Sequence, residues 1–339
     1  MHTILLTGGL GYIGSHIAIE LLNDINNIYN IIIIDNFSNS SIKKLDIIKN
    51  NISNISNISL LFFEINMLNY DDIDKLFNEN NIDIVIHLAG LKSVGESLTI
   101  PMHYYNNNLL STINLIKAME KYNCKNLIFS SSATVYGSSK APYNEKSNIG
   151  IGITNPYGKT KYMQEEFLRD LSKSNEKWNI IILRYFNPVS QKNISLKEEP
   201  NGIPNNLFPY IVKVYNKELD ILRIFGNDYD TIDGTCIRDF IHVVDLAKGH
   251  LKSCEYMINE KYTNIGLKTY NLGTGKGISV QQLLDKFEEV NNTKINYMYV
   301  PRREGDLDIS FADSSLALKE LCWKTEYIID DLVKLTKKN

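Results

Sequence analysis

The segment ILLTGGLGYIG at residues 4–14 decides the fold of this chain. Its first four residues form an apolar run, which predicts a buried strand. Glycines follow at positions 8, 11 and 14, and a helical pattern begins beside them. A glycine-rich turn between a strand and a helix leaves backbone N–H groups free to bind the pyrophosphate of a dinucleotide. A glycine triplet with this spacing is weak evidence by itself, and its position between a strand and a helix strengthens it.

Each glycine has an expected task, and a carboxylate follows at the expected distance. Gly8 permits the tight turn, Gly11 lets the backbone approach the pyrophosphate, and Gly14 allows close packing of the helix. Asp35 ends the second predicted strand, 21 residues after Gly14. A carboxylate there binds the adenosine ribose and repels a 2′-phosphate, so we expect NAD rather than NADP. The alternative is that Asp35 only turns the chain.

Apolar runs alternate with helical patterns through the first half of the chain. This alternation predicts an α/β fold with a Rossmann-type, doubly wound parallel sheet that is buried on both faces. The predicted strands are 4–7, 31–35, 60–65, 84–88, 127–130 and 180–186. The predicted helices are 12–22, 42–49, 70–78, 101–121 and 156–174. The low-complexity segment 50–59 is predicted to be a surface loop.

The pattern is less regular after Pro188 and predicts a smaller α/β C-terminal substrate domain. Its predicted elements are a loop at 190–206, strands near 221–225, 237–242, 270–272 and 295–300, and helices at 244–257, 280–290 and 314–321. We expect a NAD-binding domain at 1–188, to which 236–258 returns, and a nucleotide-sugar domain at 189–235 and 259–339. The active site is expected in the cleft at the carboxyl ends of the parallel strands.

Composition narrows the class of protein. The net charge is −3 with acidic and basic residues well mixed, which argues against nucleic-acid binding. The four cysteines are scattered, which predicts neither disulfides nor a metal site. There is no signal-peptide pattern and no apolar stretch of about 18 residues, so we expect a cytoplasmic protein without a membrane span.

A tyrosine four residues before a lysine occurs twice. Tyr157 and Lys161 follow Asn155-Pro156 at a predicted helix start, so that both side chains share one face. The other pair, Tyr136 and Lys140, lies in a Gly/Ser turn, where this spacing does not align side chains. An isolated pair of this kind is usually an ordinary surface feature. The dinucleotide turn and the upstream Ser132 favour a catalytic role for Tyr157.

The expected chemistry is hydride transfer between NAD and an alcohol carbon. A base must remove the hydroxyl proton, but free tyrosine has a pKa of about 10, so work near neutrality requires lowering it by roughly 3 units, or about 4 kcal/mol. The Lys161 ammonium and the positive nicotinamide ring would supply this stabilisation. Ser132, at a strand end, would hydrogen-bond the reacting oxygen; alternatively it is only a turn serine.

Long motifs connect the chain with a known family. It resembles the extended short-chain dehydrogenases/reductases and, within them, the UDP-glucose 4-epimerases. The stretches that carry the resemblance are TGGLGYIGSH, HLAGLKSVGES, FSSSATVYG, NPYGKTK, LRYFNPV, GIPNNLFPYI, IFGNDY, RDFIHVVDLA, YNLGTG and VPRREGD. They cover most of the chain, so the resemblance is specific.

The resemblance implies site residues. Tyr157 is the base, Lys161 binds the nicotinamide ribose, and Ser132 contacts the hexose 4-hydroxyl. The implied NAD contacts are Gly8, Gly11, Tyr12, Ile13, Gly14, Asp35, Asn36, Asn66, Leu88, Ala89, Gly90, Lys92, Asn107, Ser130, Tyr157, Lys161 and Tyr185. The implied substrate contacts are Lys92, Ser132, Tyr157, Phe186, Asn187, Asn206, Leu207, Phe225, Arg238, Arg303, Asp306 and Ser310.

Individual roles follow for the nucleotide end of the substrate. Arg238 and Arg303 clamp the diphosphate, for which arginine is chemically suited. Phe225 packs near uracil, and Asp306 holds the uridine ribose.

Three positions depart from the family pattern. Asn66 stands where an aspartate usually faces adenine, Ser190 replaces a usual glycine, and Ser310 replaces a usual tyrosine or cysteine beside the sugar's 2-substituent. An amide at Asn66 can still accept from adenine. A small residue at position 310 leaves room for an acetamido group.

The expected activity is interconversion of UDP-glucose and UDP-galactose by transient oxidation at carbon 4, with UDP-GlcNAc and UDP-GalNAc as possible further substrates. One alternative is a nucleotide-sugar dehydratase, although Ala133-Thr134 stands where dehydratases carry Asp-Glu. Another is a non-catalytic NAD-binding interaction protein. We also expect a homodimer, formed through the helices 101–121 and 156–174, because both carry apolar residues on more than one face.

Overall fold

The fold consists of a parallel sheet flanked by helices and a smaller mixed part. The computed structural model describes residues 2–26, 29–52, 59–191, 196, 198, 204, 206–259, 264–303 and 305–335. The strands are β1 His2–Thr7, β2 Tyr29–Asp35, β3 Leu60–Glu64, β4 Ile84–His87, β5 Asn126–Ser132, β6 Asn179–Tyr185, β7 Asn187–Val189, β8 Leu222–Phe225, β9 Ile237–Arg238, β10 Phe240–His242, β11 Leu267–Leu272, β12 Ile278–Ser279, β13 Tyr297–Val300 and β14 Ile309–Ser310.

The helices lie between and after these strands. They are α1 Tyr12–Leu22, α2 Lys43–Asn50, α3 Tyr70–Glu79, α4 Val94–Thr99, α5 Pro101–Lys121, α6 Pro156–Ser174, α7 Leu207–Tyr215, α8 Val243–Ile258, α9 Val280–Asn291, α10 Ser315–Leu321 and α11 Ile329–Val333, with a 3₁₀ turn at Ala133–Tyr136. None of the helices described is long and apolar enough to cross a membrane.

The main sheet has seven parallel strands in the order β11-β6-β5-β4-β1-β2-β3. Alternate residues of each strand enter two different cores. Ile31 and Ile33 pack into one core, while Ile32 and Ile34 pack into the other. A strand buried on both faces must be apolar throughout, which explains the continuous Ile and Leu runs. The parallel direction brings the carboxyl ends of all seven strands to one edge.

The smaller part has its own core, built on short strands. Its sheets are β12-β9-β14, β13-β8 and β10-β7. Phe208, Ile211, Leu284 and Phe287 are among the buried residues of this core. Helix α8 leaves this part and packs on α1, beside the main sheet.

The predicted fold class is confirmed, and the predicted elements of the first half lie within two or three residues of their observed bounds. The helices α4, α7 and α11 and the short strands β7, β12 and β14 were not predicted from the sequence. Helix α7 has the sequence LFPYIVKVY, whose proline and β-branched residues are typical of strands or loops rather than helices. Pro209 is tolerated because it lies in the first turn.

Two further differences concern strands. The single strand predicted at 237–242 is divided into β9 and β10, because the buried Asp239 between them turns to bind another loop. Strand β11 begins at Leu267 and joins the main sheet, although it lies in the range predicted for the smaller domain. The division into domains stays a prediction. Much of the predicted loops 50–59 and 190–206 lies outside the described residues.

Candidate active site

The glycine turn brings three backbone segments so close together that side chains are excluded. Gly8 has a φ of +66°, and a Cβ there would lie 3.0 Å from the backbone of Ala89. A Cβ on Gly14 would lie 2.6 Å from the Gly8 carbonyl oxygen. Helix α1 therefore begins directly beside β1 and β4, with its first N–H groups at the carboxyl edge of the sheet. This cradle fits a dinucleotide pyrophosphate.

Asp35 holds the same turn in place. One carboxylate oxygen accepts from the Leu10 N–H at 3.0 Å, and the other accepts from the Phe37 N–H at 3.0 Å and the Ser40 hydroxyl at 2.6 Å. A carboxylate has about four lone-pair positions, so one position remains for a ribose hydroxyl. The turn-forming role and the predicted ribose contact are therefore compatible.

A buried histidine network supports the segment after β4. The Thr7 hydroxyl accepts from the N–H groups of Leu88 and Ala89, both at 3.2 Å. It also lies 2.8 Å from His87 Nδ1, and His87 Nε2 lies 2.9 Å from the Thr112 hydroxyl. Burial lowers the pKa of His87 to about 3, so the ring is neutral. The sequence analysis did not identify this network, because its members are far apart in the chain.

Helix α6 positions the tyrosine–lysine pair. Asn155 caps the helix, its side-chain oxygen accepting from the Gly158 N–H at 2.8 Å. Tyr157 follows in the first turn and lines the cleft described below. Lys161 is 6% exposed, and its Nζ donates to the Ser130 carbonyl at 2.6 Å. The lysine is thus fixed at the carboxyl end of β5, beside the predicted cofactor site.

The protonation state of Tyr157 differs from the one that catalysis requires. Burial raises the pKa of Tyr157, and its hydrogen bond with Ser132 acts in the opposite direction. Burial lowers the pKa of Lys161 to about 8. Without a cofactor, Tyr157 is therefore protonated and cannot act as a base near neutral pH. A positive group beside the tyrosine would reverse this shift.

A buried ion pair fixes α6 against the sheet. Glu165, one turn after Lys161, accepts from Arg184 Nε at 3.0 Å and from Arg184 Nη2 at 2.7 Å. The Ser131 hydroxyl donates to the same carboxylate at 2.5 Å. Arg184 and Ser131 belong to β6 and β5, so both strands hold the helix that carries Tyr157.

Every residue predicted to bind the substrate lines one cleft of about 430 Å³. Such a volume is typical of small-molecule sites. Ser132 comes from β5, Leu207 from α7 and Ser310 from β14, so both parts of the chain build the walls. Of the residues predicted to bind only the cofactor, Ile13 and Tyr185 also line this cleft. Most of the remaining predicted cofactor residues lie at or just after the carboxyl ends of β1, β2, β3, β4 and β5, along the same edge of the main sheet.

Four of the predicted cofactor residues bind neighbouring protein groups. Asn36 and Asn66 are exposed, and their side-chain oxygens accept from N–H groups two residues later, at 3.1 and 3.0 Å. The Tyr12 hydroxyl is buried and donates to the Ser190 carbonyl at 2.6 Å. Asn107 donates to the side chain of Asn108 at 3.2 Å. The bonds of Asn36 and Asn66 use only the side-chain oxygens, so their exposed amide nitrogens can still bind a cofactor. The Tyr12 hydroxyl instead uses its hydrogen to bind the backbone at Ser190.

The arginines of the cleft are held by neighbouring groups. Arg238 Nη1 donates to the carbonyls of Ile237 and Leu307 at 2.9 and 2.7 Å, and Nη2 lies 3.5 Å from Asp306. The Arg303 guanidinium lies 4.3 Å from the centre of the Phe225 ring. The two guanidinium groups are therefore pre-oriented, and each keeps N–H groups for an anionic ligand.

The side chains at or directly behind this cleft that the sequence did not reveal include Glu198 and Tyr143. Tyr143 is fully buried and stacks on Phe186 with ring centres 6.3 Å apart, and its hydroxyl donates to the Ile309 carbonyl at 3.5 Å. Glu198 forms an ion pair with Lys92 and accepts from Asn206 at 3.0 Å. Glu198 lies in a segment that was predicted only as a loop, and no sequence pattern marks Tyr143.

Ser190 is the departure that the backbone explains. Its φ is +68°, a left-handed conformation in which glycine is unstrained. The serine hydroxyl donates to the Asp331 carbonyl at 3.3 Å, which partly offsets the strain.

A Rossmann sheet, a glycine cradle and a tyrosine–lysine pair together define a dinucleotide-dependent enzyme that acts on an alcohol carbon. The sequence profile described as "NAD dependent epimerase/dehydratase family" matches residues 4–273. The chain belongs to this family.

Similar proteins carry a more specific name. The chain is 47% identical to a UDP-glucose 4-epimerase of Bacillus subtilis, with 97% of this chain and 94% of that protein covered. It is 48% identical to a UDP-glucose 4-epimerase of Haemophilus influenzae, with 98% and 96% covered.

Solved structures are similar over the same length. The UDP-glucose 4-epimerase of Bifidobacterium longum, in complex with NAD+ and UDP, has a TM-score of 0.90 and 46% identity, with 98% of this chain and 96% of that chain covered. A UDP-Glc/GlcNAc 4-epimerase of Campylobacter jejuni has a TM-score of 0.82 and 32% identity, with 98% of each chain covered.

Proposed function

We propose that this protein is an NAD-dependent UDP-glucose 4-epimerase, which interconverts UDP-glucose and UDP-galactose. One observation carries the proposal: a single cleft contains a tyrosine and serine suited to oxidise a sugar alcohol, together with two arginines suited to a diphosphate. The relatives of this family that bear the same name support it.

Tyr157 and Ser132 have separate roles in the proposed reaction. Tyr157 removes the proton of the sugar 4-hydroxyl, and Ser132 hydrogen-bonds that oxygen and holds it near the phenol. Bound NAD supplies the hydride acceptor and later the hydride donor at carbon 4. After the 4-keto sugar has rotated in the cleft, its other face takes up the hydride at carbon 4, and Tyr157 returns the proton to the 4-oxygen.

The proton transfer depends on electrostatics. In the chain alone, burial raises the pKa of Tyr157. The oxidised nicotinamide ring is positive and Lys161 is held beside Ser130, so cofactor binding lowers the pKa of the phenol. The base is therefore activated only when the hydride acceptor is present.

The test is product analysis after incubation of the purified protein with UDP-galactose and no added nicotinamide cofactor. We expect UDP-glucose to form, because the oxidation and reduction cancel. Bound NAD without sugar turnover would contradict the proposal and favour an interaction protein. Loss of water from the sugar would instead indicate a dehydratase.

We also propose that N-acetylated UDP-sugars are substrates. Ser310 lines the cleft, and its side chain is much smaller than the tyrosine that often stands at this position. The Campylobacter jejuni relative is named for both sugar types. Ser310→Tyr should abolish turnover of UDP-N-acetylglucosamine and retain that of UDP-galactose. Absence of N-acetyl turnover in the wild type would contradict the proposal.

A homodimer in the cytoplasm remains part of the proposal. Helices α5 and α6 pack against each other and leave Ile113 and Met163 exposed at 39% and 44%. Tyr104, Met119 and Leu168 are fully buried, so only part of the predicted apolar surface is available for a partner. Light scattering should give twice the chain mass of 38.8 kDa, and Ile113→Glu should give a monomer.

A further inference from the structure

A histidine behind the cleft holds the hydroxyl of Tyr185. Tyr185 ends β6, lines the cleft and is 6% exposed. Its hydroxyl hydrogen-bonds Nε2 of His250, a fully buried residue of α8, and the two rings meet edge to face. His250 lies outside the quoted motifs and takes no part in the proposed proton transfer.

The network determines which atom carries each hydrogen. His250 Nδ1 lies 2.9 Å from the Leu246 carbonyl, which can only accept, so Nδ1 carries the ring hydrogen. Burial lowers the pKa of His250 to about 4, so the ring is neutral and Nε2 is an acceptor. Tyr185 must then donate to Nε2. Its hydroxyl hydrogen points to the protein interior, away from the cleft.

Only oxygen lone pairs therefore remain on the cleft side of this hydroxyl. Ser130 and Tyr157 are both close enough to this hydroxyl to influence its pKa. Tyr185 is also the register partner of Ser132 in the β5–β6 ladder. The nicotinamide ring must lie beside Tyr157 and Ser132, because hydride leaves the carbon whose hydroxyl they bind. The Tyr185 hydroxyl therefore faces the nicotinamide end of the cofactor.

We propose that His250 is a positioning residue that fixes Tyr185 as a hydrogen-bond acceptor toward the nicotinamide end of the site. The site would then select a cationic ring with an amide N–H donor over a ring that carries an anionic group. This inference rests on the proposed use of NAD, but not on the identity of the sugar.

The probe is nicotinic acid adenine dinucleotide, in which a carboxylate replaces the carboxamide. The measurement is the ratio of its Kd to that of NAD, from calorimetric titration of the full chain. In the wild type the lone pairs of Tyr185 repel the carboxylate. In His250→Leu the freed hydroxyl turns its hydrogen to the carboxylate, and the ratio should fall by about tenfold.

Three further variants separate positioning from a general structural effect. His250→Gln should keep the wild-type ratio, because its amide oxygen accepts from Tyr185 and its nitrogen donates to Leu246. Adding His250→Leu to Tyr185→Phe should leave the ratio of Tyr185→Phe unchanged, because the histidine acts through the hydroxyl. The control is Ser253→Ala, a buried residue of the same helix whose hydroxyl donates to Gly249.

An unchanged ratio in folded His250→Leu would overturn the inference, as would a further change in the Tyr185→Phe background. If His250→Leu does not fold, an unchanged ratio in Tyr185→Phe overturns it instead. Turnover of UDP-galactose is assayed separately in the wild type. Failure of that assay with an intact cofactor preference would reject the proposed function and leave the role of His250 standing.

Discussion

The two tyrosine–lysine pairs have the same spacing but different environments. Tyr136 ends the 3₁₀ turn, is 1% exposed, and its hydroxyl donates to Asn271 at 2.6 Å and accepts from Arg184 at 2.9 Å. The chain then turns at Gly137, which has a φ of +52°, so the following Lys140 is exposed and not on the same face. Tyr157 and Lys161 instead share one face of α6.

The difference shows what converts a common pair of residues into a reactive one. The hydroxyl of Tyr136 has used both its donor and its acceptor capacity inside the protein, whereas Tyr157 opens into the cleft. Both phenols have a pKa raised by burial, that of Tyr136 to about 12. Burial alone therefore does not distinguish them, and access to substrate and cofactor does.

The largest expected effect is the loss of turnover in Tyr157→Phe. Removal of the proposed base should reduce kcat by ~10²–10⁴-fold and leave the fold and NAD binding intact. The matched control is Tyr136→Phe, which should retain turnover per folded molecule but lose roughly 1–3 kcal/mol of stability, because Arg184 and Asn271 lose a partner. Comparable turnover in the two variants would contradict the assignment.

The glycines that follow the two tyrosines should respond differently to alanine. A Cβ on Gly137 would lie 2.0 Å from the Ile151 carbonyl oxygen, in a left-handed conformation. We expect Gly137→Ala to cost at least about 3 kcal/mol in the free energy of unfolding. A Cβ on Gly158 would lie 2.8 Å from Cγ2 of Ile153 and 3.2 Å from Thr134, but the backbone there is not in a left-handed conformation. Gly158→Ala should cost about 1 kcal/mol; equal urea midpoints would show that the turn at Gly137 is not required.

Lys161 should make stability depend on pH in the chain without cofactor. Its pKa is about 8 in the folded chain and 10.5 in the reference state, so between these values the unfolded chain binds more protons. Stability relative to Lys161→Met should therefore rise by up to roughly 3 kcal/mol between pH 8 and pH 10.5. Urea unfolding of both proteins at several pH values measures it. A difference that does not vary with pH would mean that Lys161 is hydrated.

The smallest expected effect is that of the other lysine. Lys140 is exposed, so Lys140→Met should change the free energy of unfolding by less than about 0.5 kcal/mol at any pH and leave kcat unchanged. Steady-state assays measure kcat and urea titrations measure the free energy of unfolding, for Lys140→Met and Lys161→Met in parallel. A tenfold loss of turnover would show that the first pair takes part in catalysis.

Much of the fold could be predicted because it depends on local patterns. Strands such as Ile84–His87 are buried on both faces, so their sequences are apolar. The start of helix α6 is predictable because Asn155 is a typical capping residue and Pro156 is typical of the first helical position. The side chains expected to bind the substrate could be named because all except Ser310 lie in motifs with a recognisable sequence, and Ser310 was placed by its distance from Asp306. They come from separate elements, yet all of them line one cleft.

The remaining features depend on contacts between distant parts of the chain. Asp239 interrupts a predicted strand, because its carboxylate accepts from the N–H groups of Thr274 and Ala312. Thr7 and His87 meet only because β1 and β4 are neighbours in the sheet. Nothing near His250 in the sequence indicates that it reaches Tyr185 across the molecule. Such pairings appear only once the packing is known.

The ion pair of Glu165 and Arg184 has a mechanical consequence. Apolar contacts are not directional, whereas the hydrogen bonds of an ion pair are, and a roll of a helix by 10° about its axis would displace a tyrosine hydroxyl at its surface by about 1.5 Å. Glu165 is one turn from Lys161, and Arg184 precedes Tyr185. The bidentate ion pair between Glu165 and Arg184 therefore restricts rotation of α6 relative to the sheet. The precision of the proton transfer is thus set by a contact that never meets the sugar.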